Sequence, residues 1–224
     1  MLSHASRREG ARVESLAQLA AAGIYPQVIE SHATERSDAE VRRRAYDALS
    51  RAAGDALLFF EDDILVRPAL LNDHLALAEA AEITTALCAI NARHYPPGVL
   101  SENPMRVRLE PVPNYAADRG FHGSMAVYLP PALVTHGLEH PEQFMRRDGT
   151  ALVNPVIPPD FQRGKVTGFD FWIKHAAQRF GGMRVALPNS VDHDDRGSVH
   201  GERTSAWRSP TYGIPEERCA VSPA

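Results

Sequence analysis

Three adjacent carboxylates, Glu61-Asp62-Asp63, directly follow the apolar run Ala56–Phe60. A continuous apolar run of this length is typical of a strand that is buried on both faces. Adjacent carboxylates repel one another, and a divalent cation neutralises them; their oxygen atoms suit Mg²⁺ or Mn²⁺. The alternative interpretation is a solvated acidic turn before a helix, where the helix dipole favours negative charge. The buried strand ahead of the triplet favours the metal site.

A second polar segment, Pro188–Gly201, follows the strand predicted at 183–187. It contains three acidic residues and two histidines, namely Asp192, His193, Asp194, Asp195 and His200. An imidazole complements a carboxylate on a transition metal such as Mn²⁺. A polar loop that happens to contain histidines is the alternative interpretation.

Asp170 falls in the first turn of a predicted amphipathic helix with large apolar residues at helical spacing. It either interacts with the helix dipole or acts as a general base at the lip of a pocket. Trp172, on the same helix, either belongs to the core or stacks on a substrate.

The spacing of apolar residues predicts the elements that position these side chains. Helices are predicted at 13–20, 37–52, 68–77 and 169–180, with a short one after Pro130-Pro131, and strands at 27–30, 56–60, 83–90, 106–110, 123–129 and 183–187. Alternating helices and strands in the first 90 residues predict a parallel sheet covered by helices, with ligands at the carboxyl ends of its strands. From Pro188 onward the chain is polar and is predicted to be irregular.

Composition limits the class of protein. The chain has 224 residues, of which 44% are hydrophobic and 23% charged, which is typical of a globular domain. No apolar run approaches the roughly 20 residues that span a bilayer, and the first residues lack the apolar core of a signal peptide, so a cytoplasmic location is expected. The net charge of −4 argues against a chain-wide attraction for nucleic acid. Cys88 is expected to be a small buried apolar residue.

The order of the motifs carries a resemblance to a known class of enzyme. LLFFEDDILV, HGSMAVYL, TGFDFWI and PNSVDHDDRGS follow one another along the chain. This arrangement resembles the nucleotide-sugar-dependent glycosyltransferases of the A-type (GT-A) fold, especially the family 2 and lipopolysaccharide-type branch with its EDD form of the DXD motif. The resemblance covers about residues 3–200. It implies an α/β, Rossmann-like fold with a mostly parallel central sheet flanked by helices and an irregular C-terminal half.

The resemblance also implies roles for individual residues. The metal ligands would be Asp63 and His193, with His200 as second choice and Glu61 in support; the nucleotide-sugar would contact Asp62, Arg44, Glu30, Ser3, Gly123 and Ser124; Asp170 would be the catalytic base and Trp172 an acceptor contact. The implied cofactor is Mn²⁺ or Mg²⁺. A single domain over 1–201 is expected, followed by a tail at 202–224 that either closes over the donor or is mobile.

These observations lead to the hypothesis of a metal-dependent inverting glycosyltransferase. It would move a sugar from a nucleoside-diphosphate sugar to a hydroxyl of a glycan, a metabolite or a modified nucleic acid, with nucleic acid as a partner only in the role of acceptor. Two alternatives remain open. One is a metal-dependent phosphoesterase or nucleotidyltransferase that uses the same carboxylates, and the other is a non-catalytic binding module of the same fold.

Overall fold

A computed structural model of the chain describes residues 1–4, 9–31, 38–88, 108–111, 126–141 and 169–193. Within these ranges the helices are α1 (Glu9–Ala21), α2 (Asp38–Ala52), α3 (Pro68–Ala81), α4 (Pro131–Glu139) and α5 (Phe169–Ala177), the last followed by one 3-10 turn, Gln178–Phe180. The strands are β1 (Leu2–His4), β2 (Ile29–Ser31), β3 (Leu57–Phe60), β4 (Ile64–Val66), β5 (Thr84–Ala86), β6 (Arg108–Pro111), β7 (Ala126–Leu129), β8 (Met183–Leu187) and β9 (Val191–His193). None of the helices in these ranges is long and apolar enough to cross a membrane.

The central sheet has five strands in the order β3-β7-β5-β8-β6. β5 and β8 run parallel, whereas the other three pairings are antiparallel. The expectation of a mostly parallel sheet is therefore wrong in this respect, and the sheet is mixed. The sequence contains no helical pattern ahead of β7, and a strand parallel to its neighbour requires a crossover, which is usually a helix.

Helices cover both faces of the central sheet, as the sequence predicts. Side chains on a strand alternate between the faces, and Phe59 packs with α2, α4 and α5 while Phe60 packs with α1 and α3. On β8, Val185 likewise faces the first group of helices and Ala186 the second. The prediction of a strand buried on both faces is thus confirmed for Phe59 and Phe60, whereas Leu57 and Leu58 are half-buried and Ala56 is exposed and precedes β3.

Two short strand pairs lie outside the central sheet. β1 and β2 are parallel, and β4 and β9 are antiparallel. β9 corrects the expectation of an irregular chain from Pro188 onward, because Val191–His193 forms a strand against β4. Three-residue strands are too short to produce a periodic sequence signal, and the pairing partner that stabilises this one lies far away in the chain.

Helix α3 packs a histidine into the interior. His74 is fully buried beside Leu70, Leu71 and Ala78, and neither ring nitrogen has a hydrogen-bond partner among the described residues. Burial lowers the pKa of His74 to about 4, and the positive charge of Arg67 lowers it further. The backbone of Leu187 opposes this shift, although it lies outside hydrogen-bonding geometry with the ring.

His74 should make the protein sensitive to acid. The unfolded chain takes up this proton near pH 6.5 and the folded chain only near pH 4, so stability is full above pH 6.5 and falls as the pH drops towards 4. The loss amounts to about 3 kcal/mol. We expect His74→Leu to remove this part of the pH dependence in denaturant unfolding at pH 7 and pH 4.5. An identical pH dependence in the variant and the parent would contradict the assignment.

Candidate active site

The acidic triplet lies in a turn between two strands. β3 ends at Phe60, the turn Glu61–Asp63 follows, and β4 begins at Ile64. In the antiparallel pairing of β4 with β9, Ile64 lies opposite His193. Residues opposite each other in such a pair have Cα atoms about 4.5–5.5 Å apart, so this register places His193 beside the end of the acidic turn.

The side chains of Asp63 and His193 meet, although 130 positions separate them in the chain. His193 Nε2 lies 3.1 Å from Asp63 Oδ2, and the two side chains are only 14% and 6% exposed. With Asp63 ionised, its carboxylate can only accept a hydrogen bond, so Nε2 would be the donor in this contact. The structure thus brings together two of the residues that the resemblance implies as metal ligands.

Negative charge accumulates around this contact. The side chains of Asp62, Asp63 and Asp192 are all buried. Burial raises the pKa of the Cys88 thiol well above its usual range, and the charges of Asp192, Glu61 and Asp63 raise it further. Carboxylates of the acidic turn and of β9 therefore both act on the Cys88 thiol. A cation bound between these carboxylates would offset their mutual repulsion. Cys88 itself is a neutral, buried, unbridged thiol, as the sequence predicts.

Two polar side chains of helix α1 contact the acidic turn and the strand β4 that follows it. The fully buried Ser15 donates its hydroxyl proton to Ile64 O at 2.8 Å, lies 3.2 Å from Asp62 O, and accepts from Ile64 N–H at 3.2 Å. Gln18 Oε1 accepts from Val66 N–H at 2.6 Å. Alternate residues of a strand direct their backbone N–H and C=O groups to opposite edges. Ile64 and Val66 therefore face away from β9, and α1 supplies hydrogen-bond partners along that edge of β4.

Backbone hydrogen bonds also fix the strand that carries His193. Arg67 N–H donates to Ser190 O at 2.9 Å, and Val191 N–H donates to Leu87 O at 3.2 Å. Leu87 N–H in turn donates to Ala126 O at 2.9 Å. β9 is therefore tied to the end of β5 and, through it, to β7 in the central sheet.

Two of the described side chains lie at a distance that suits neighbouring ligands of one divalent cation. Two neighbouring ligands of an octahedral ion, with bonds of about 2.1 Å, lie about 3.0 Å apart. Asp63 Oδ2 and His193 Nε2 have that separation, which equally suits their hydrogen bond. Within the described ranges, no three His, Cys, Asp or Glu side chains are grouped so that they could hold an ion. Mg²⁺-type ions at phosphate sites use one or two carboxylates together with substrate oxygens, so two protein side chains would be enough for such a site but not for a structural metal centre.

The residues expected to contact the nucleotide-sugar fall into three places. Ser3 and Glu30 lie opposite each other in the β1–β2 pair, where the exposed Glu30 forms an ion pair with Arg12. Arg44 is buried on α2, and Asp62 is buried in the acidic turn. Three further expected site residues lie outside the described ranges, namely Gly123, Ser124 and His200, as does the tail at 202–224.

Helix α5 begins close to the strand that leads into the acidic turn. Phe169, its first residue, has its ring centroid 5.3 Å from that of Phe59 on β3. This contact places the backbone of Asp170, in the first turn, near the end of β3.

Trp172 requires a correction, because its ring is fully buried and leaves no face for an acceptor. It stacks on Phe169 at 5.4 Å and lies against Gly137 of α4. A Cβ atom at Gly137 would come within 2.7 Å of the ring, so the absence of a side chain there permits the close approach. Trp172 is therefore a core residue, the other interpretation that the sequence allowed.

The roles of Ser15 and Gln18 leave only a weak signal in the sequence. Ser15 shares the buried side of α1 with Leu19, and the buried Ala22 directly follows the helix, so Ser15 is a polar residue in an otherwise apolar stripe. A buried hydroxyl in such a stripe requires a hydrogen-bond partner, and that is the signal the sequence contains. Its partner, the backbone around residue 63, is known only from the tertiary structure.

Comparisons with known proteins give one structural likeness. No family model and no curated protein sequence matches the chain. Among solved structures, the chain is similar to the crystal structure of a glycosyltransferase involved in the glycosylation of the major capsid of PBCV-1. The identity is 13% and the TM-score 0.30, over 84% of this chain and 91% of that chain. A TM-score this low carries no argument about the function of this chain.

Proposed function

We propose that this chain is a metal-dependent inverting glycosyltransferase that moves a sugar from a nucleoside-diphosphate sugar to an acceptor hydroxyl. The observation that carries the proposal is the 3.1 Å contact between Asp63 and His193. The residues are distant in the chain, they come from two of the motifs that resemble this class, and they meet beside the end of β3, an edge strand of the five-stranded sheet. A solvated acidic turn accounts less well for this contact, because both aspartates of the turn are buried.

Asp63 and His193 would hold a Mn²⁺ or Mg²⁺ ion, with Glu61 in support. When bound, such an ion neutralises charge on the diphosphate leaving group, which is worth several kcal/mol on the usual scale for a Lewis acid. Both side chains are mostly buried, so they would shield one side of a bound diphosphate from water. His193 must release the proton on Nε2 before that nitrogen can act as a ligand.

The remaining roles in the proposal concern the nucleotide and the acceptor. Ser3 and Glu30 would contact the nucleoside, while Asp62 and Arg44 would lie beside the ribose and diphosphate. Asp170 would accept the proton of the acceptor hydroxyl as that oxygen attacks the anomeric carbon in line with the departing diphosphate. A base in this position contributes about 10²–10⁴-fold to the rate.

The test is a titration of the full chain with a panel of nucleoside-diphosphate sugars, with and without Mn²⁺. We expect one donor to raise the melting temperature only when Mn²⁺ is present, and slow hydrolysis of that donor to free sugar and nucleoside diphosphate. Hydrolysis needs no knowledge of the acceptor. A chain that binds no donor, or that cleaves a phosphodiester without a sugar donor, would contradict the proposal, and cleavage would favour the phosphoesterase alternative.

A further inference from the structure

We infer that helix α1 positions the Asp63–His193 pair, with Ser15 as the principal positioning residue and Gln18 as the second. The catalytic meaning of this inference rests on the proposed function. Its structural content, the geometry of the pair, can be measured separately.

Ser15 binds the backbone on both sides of Asp63. Its Oγ lies within 3.2 Å of Asp62 O on one side, and it exchanges hydrogen bonds with both the N–H and the carbonyl of Ile64 on the other. The direction of the Cα–Cβ bond of Asp63 depends on the peptide planes before and after it. A single buried hydroxyl thereby restricts the direction in which the Asp63 side chain leaves the chain.

Gln18 extends the same support along β4. Its Nε2 donates to Glu14 Oε1 at 3.3 Å, which orients the amide so that Oε1 accepts from Val66 N–H. β4 and β9 are three residues each, and an isolated two-stranded pair of that length is at best marginal in water. α1 holds one edge of β4 while β9 holds the other, so the register that places Ile64 opposite His193 is maintained from both sides.

Loss of the Ser15 hydroxyl would leave buried backbone groups of Ile64 without this partner. Buried backbone groups rarely remain unsatisfied, so the turn is expected to rearrange towards other partners. Asp63 would then no longer be held at hydrogen-bonding distance from His193. Residues that orient a metal ligand without touching the metal typically change metal affinity by about 10–100-fold.

The experiment compares Ser15→Ala with the control Ser50→Ala in the full chain. Ser50 is also a helical serine that donates to a backbone carbonyl, that of Tyr46 at 2.9 Å, but it is exposed on α2. Two quantities are measured in each variant, the Mn²⁺ dissociation constant and the ¹⁵N-histidine NMR spectrum of the metal-free protein. The chain has ten histidines, and the signal of His193 is assigned by its absence in His193→Gln.

We expect Ser15→Ala to shift the His193 ring signals and to weaken Mn²⁺ binding by about 10–100-fold, while Ser50→Ala changes neither. Gln18→Met keeps the side-chain volume and removes the acceptor for Val66 N–H, so it provides the same test should Ser15→Ala fail to fold. Unchanged His193 signals and unchanged Mn²⁺ affinity in the folded variant would overturn the inference.

The two measurements separate this inference from the proposed function. If the parent protein binds no Mn²⁺ but Ser15→Ala still shifts the His193 signals, the metal-dependent function fails and the positioning role stands. If the parent binds Mn²⁺ and a donor, and Ser15→Ala leaves both readouts unchanged, the function stands and the positioning role fails.

Discussion

Asp63→Asn should reduce metal-dependent donor turnover by about 10³-fold while leaving the protein folded. A bound metal is worth several kcal/mol to the departing diphosphate, and each 1.4 kcal/mol or so corresponds to a factor of ten in rate. Asparagine has the shape of aspartate and can still accept the proton on His193 Nε2, but it is a much weaker ligand for Mn²⁺. The measurements are Mn²⁺ affinity, donor hydrolysis and the melting temperature of the variant.

The melting temperature should stay the same or rise. Asp63 directly follows two other acidic residues, Glu61 and Asp62, and neutralising one of three adjacent carboxylates relieves repulsion. A gain in stability on removal of a functional charge is the expected sign of a trade-off between stability and activity. A variant that unfolds would instead indicate that Asp63 has a mainly structural role.

Two further substitutions serve as controls for Asp63. Asp73→Asn removes an exposed carboxylate from α3 and should leave metal affinity and turnover unchanged. Asp170→Asn should preserve the binding of donor and Mn²⁺ but lower sugar transfer by about 10²–10⁴-fold, because a general base acts on the chemical step and not on donor binding. Full turnover in Asp63→Asn, or a loss in Asp73→Asn of the same size, would contradict the assigned site.

Trp172→Ala should destabilise the protein by about 3–5 kcal/mol, the usual range for emptying a large aromatic site in a core. The ring is fully buried, stacks on Phe169 and fills the space that Gly137 leaves open. The loss is a large part of a typical total stability of about 5–15 kcal/mol. For a chain of this size it corresponds to a fall of about 6–20 °C in melting temperature. Denaturant unfolding and thermal melts would both measure it.

The matched control is Tyr25→Ala, because Tyr25 is an aromatic residue with 81% of its surface exposed. We expect almost no change in stability there. If Trp172 contacts an acceptor instead of belonging to the core, Trp172→Ala would lower sugar transfer and leave the melting temperature of the protein unchanged. Trp172→Phe should retain most of the packing and cause a smaller loss of stability.

Most of the regular elements could be predicted from the sequence, because their signals are local. The apolar run at 56–60 predicts β3, residues 183–187 coincide with β8, and Pro68 marks the start of α3. The sequence also determined that helices cover both faces of the sheet, since a strand such as β3 is apolar at consecutive positions and must be buried on both sides. β5 spans Thr84–Ala86 within the strand predicted at 83–90, of which residues 89–90 lie outside the described ranges.

Local sequence patterns do not predict the long-range contacts that assemble the candidate site. The sequence by itself determined that three carboxylates follow the apolar run at 56–60 and that His193 follows the strand at 183–187. It also determined that Asp63 and His193 occupy the positions of metal ligands in the motifs that they resemble. Only the tertiary structure decided that His193 lies opposite Ile64 and that Trp172 is inside the core. It also decided that Ser15 hydrogen-bonds the backbone on both sides of Asp63. β4 and β9 are too short to have a periodic pattern, and their pairing joins segments more than a hundred positions apart, so it depends on the packing of the whole chain.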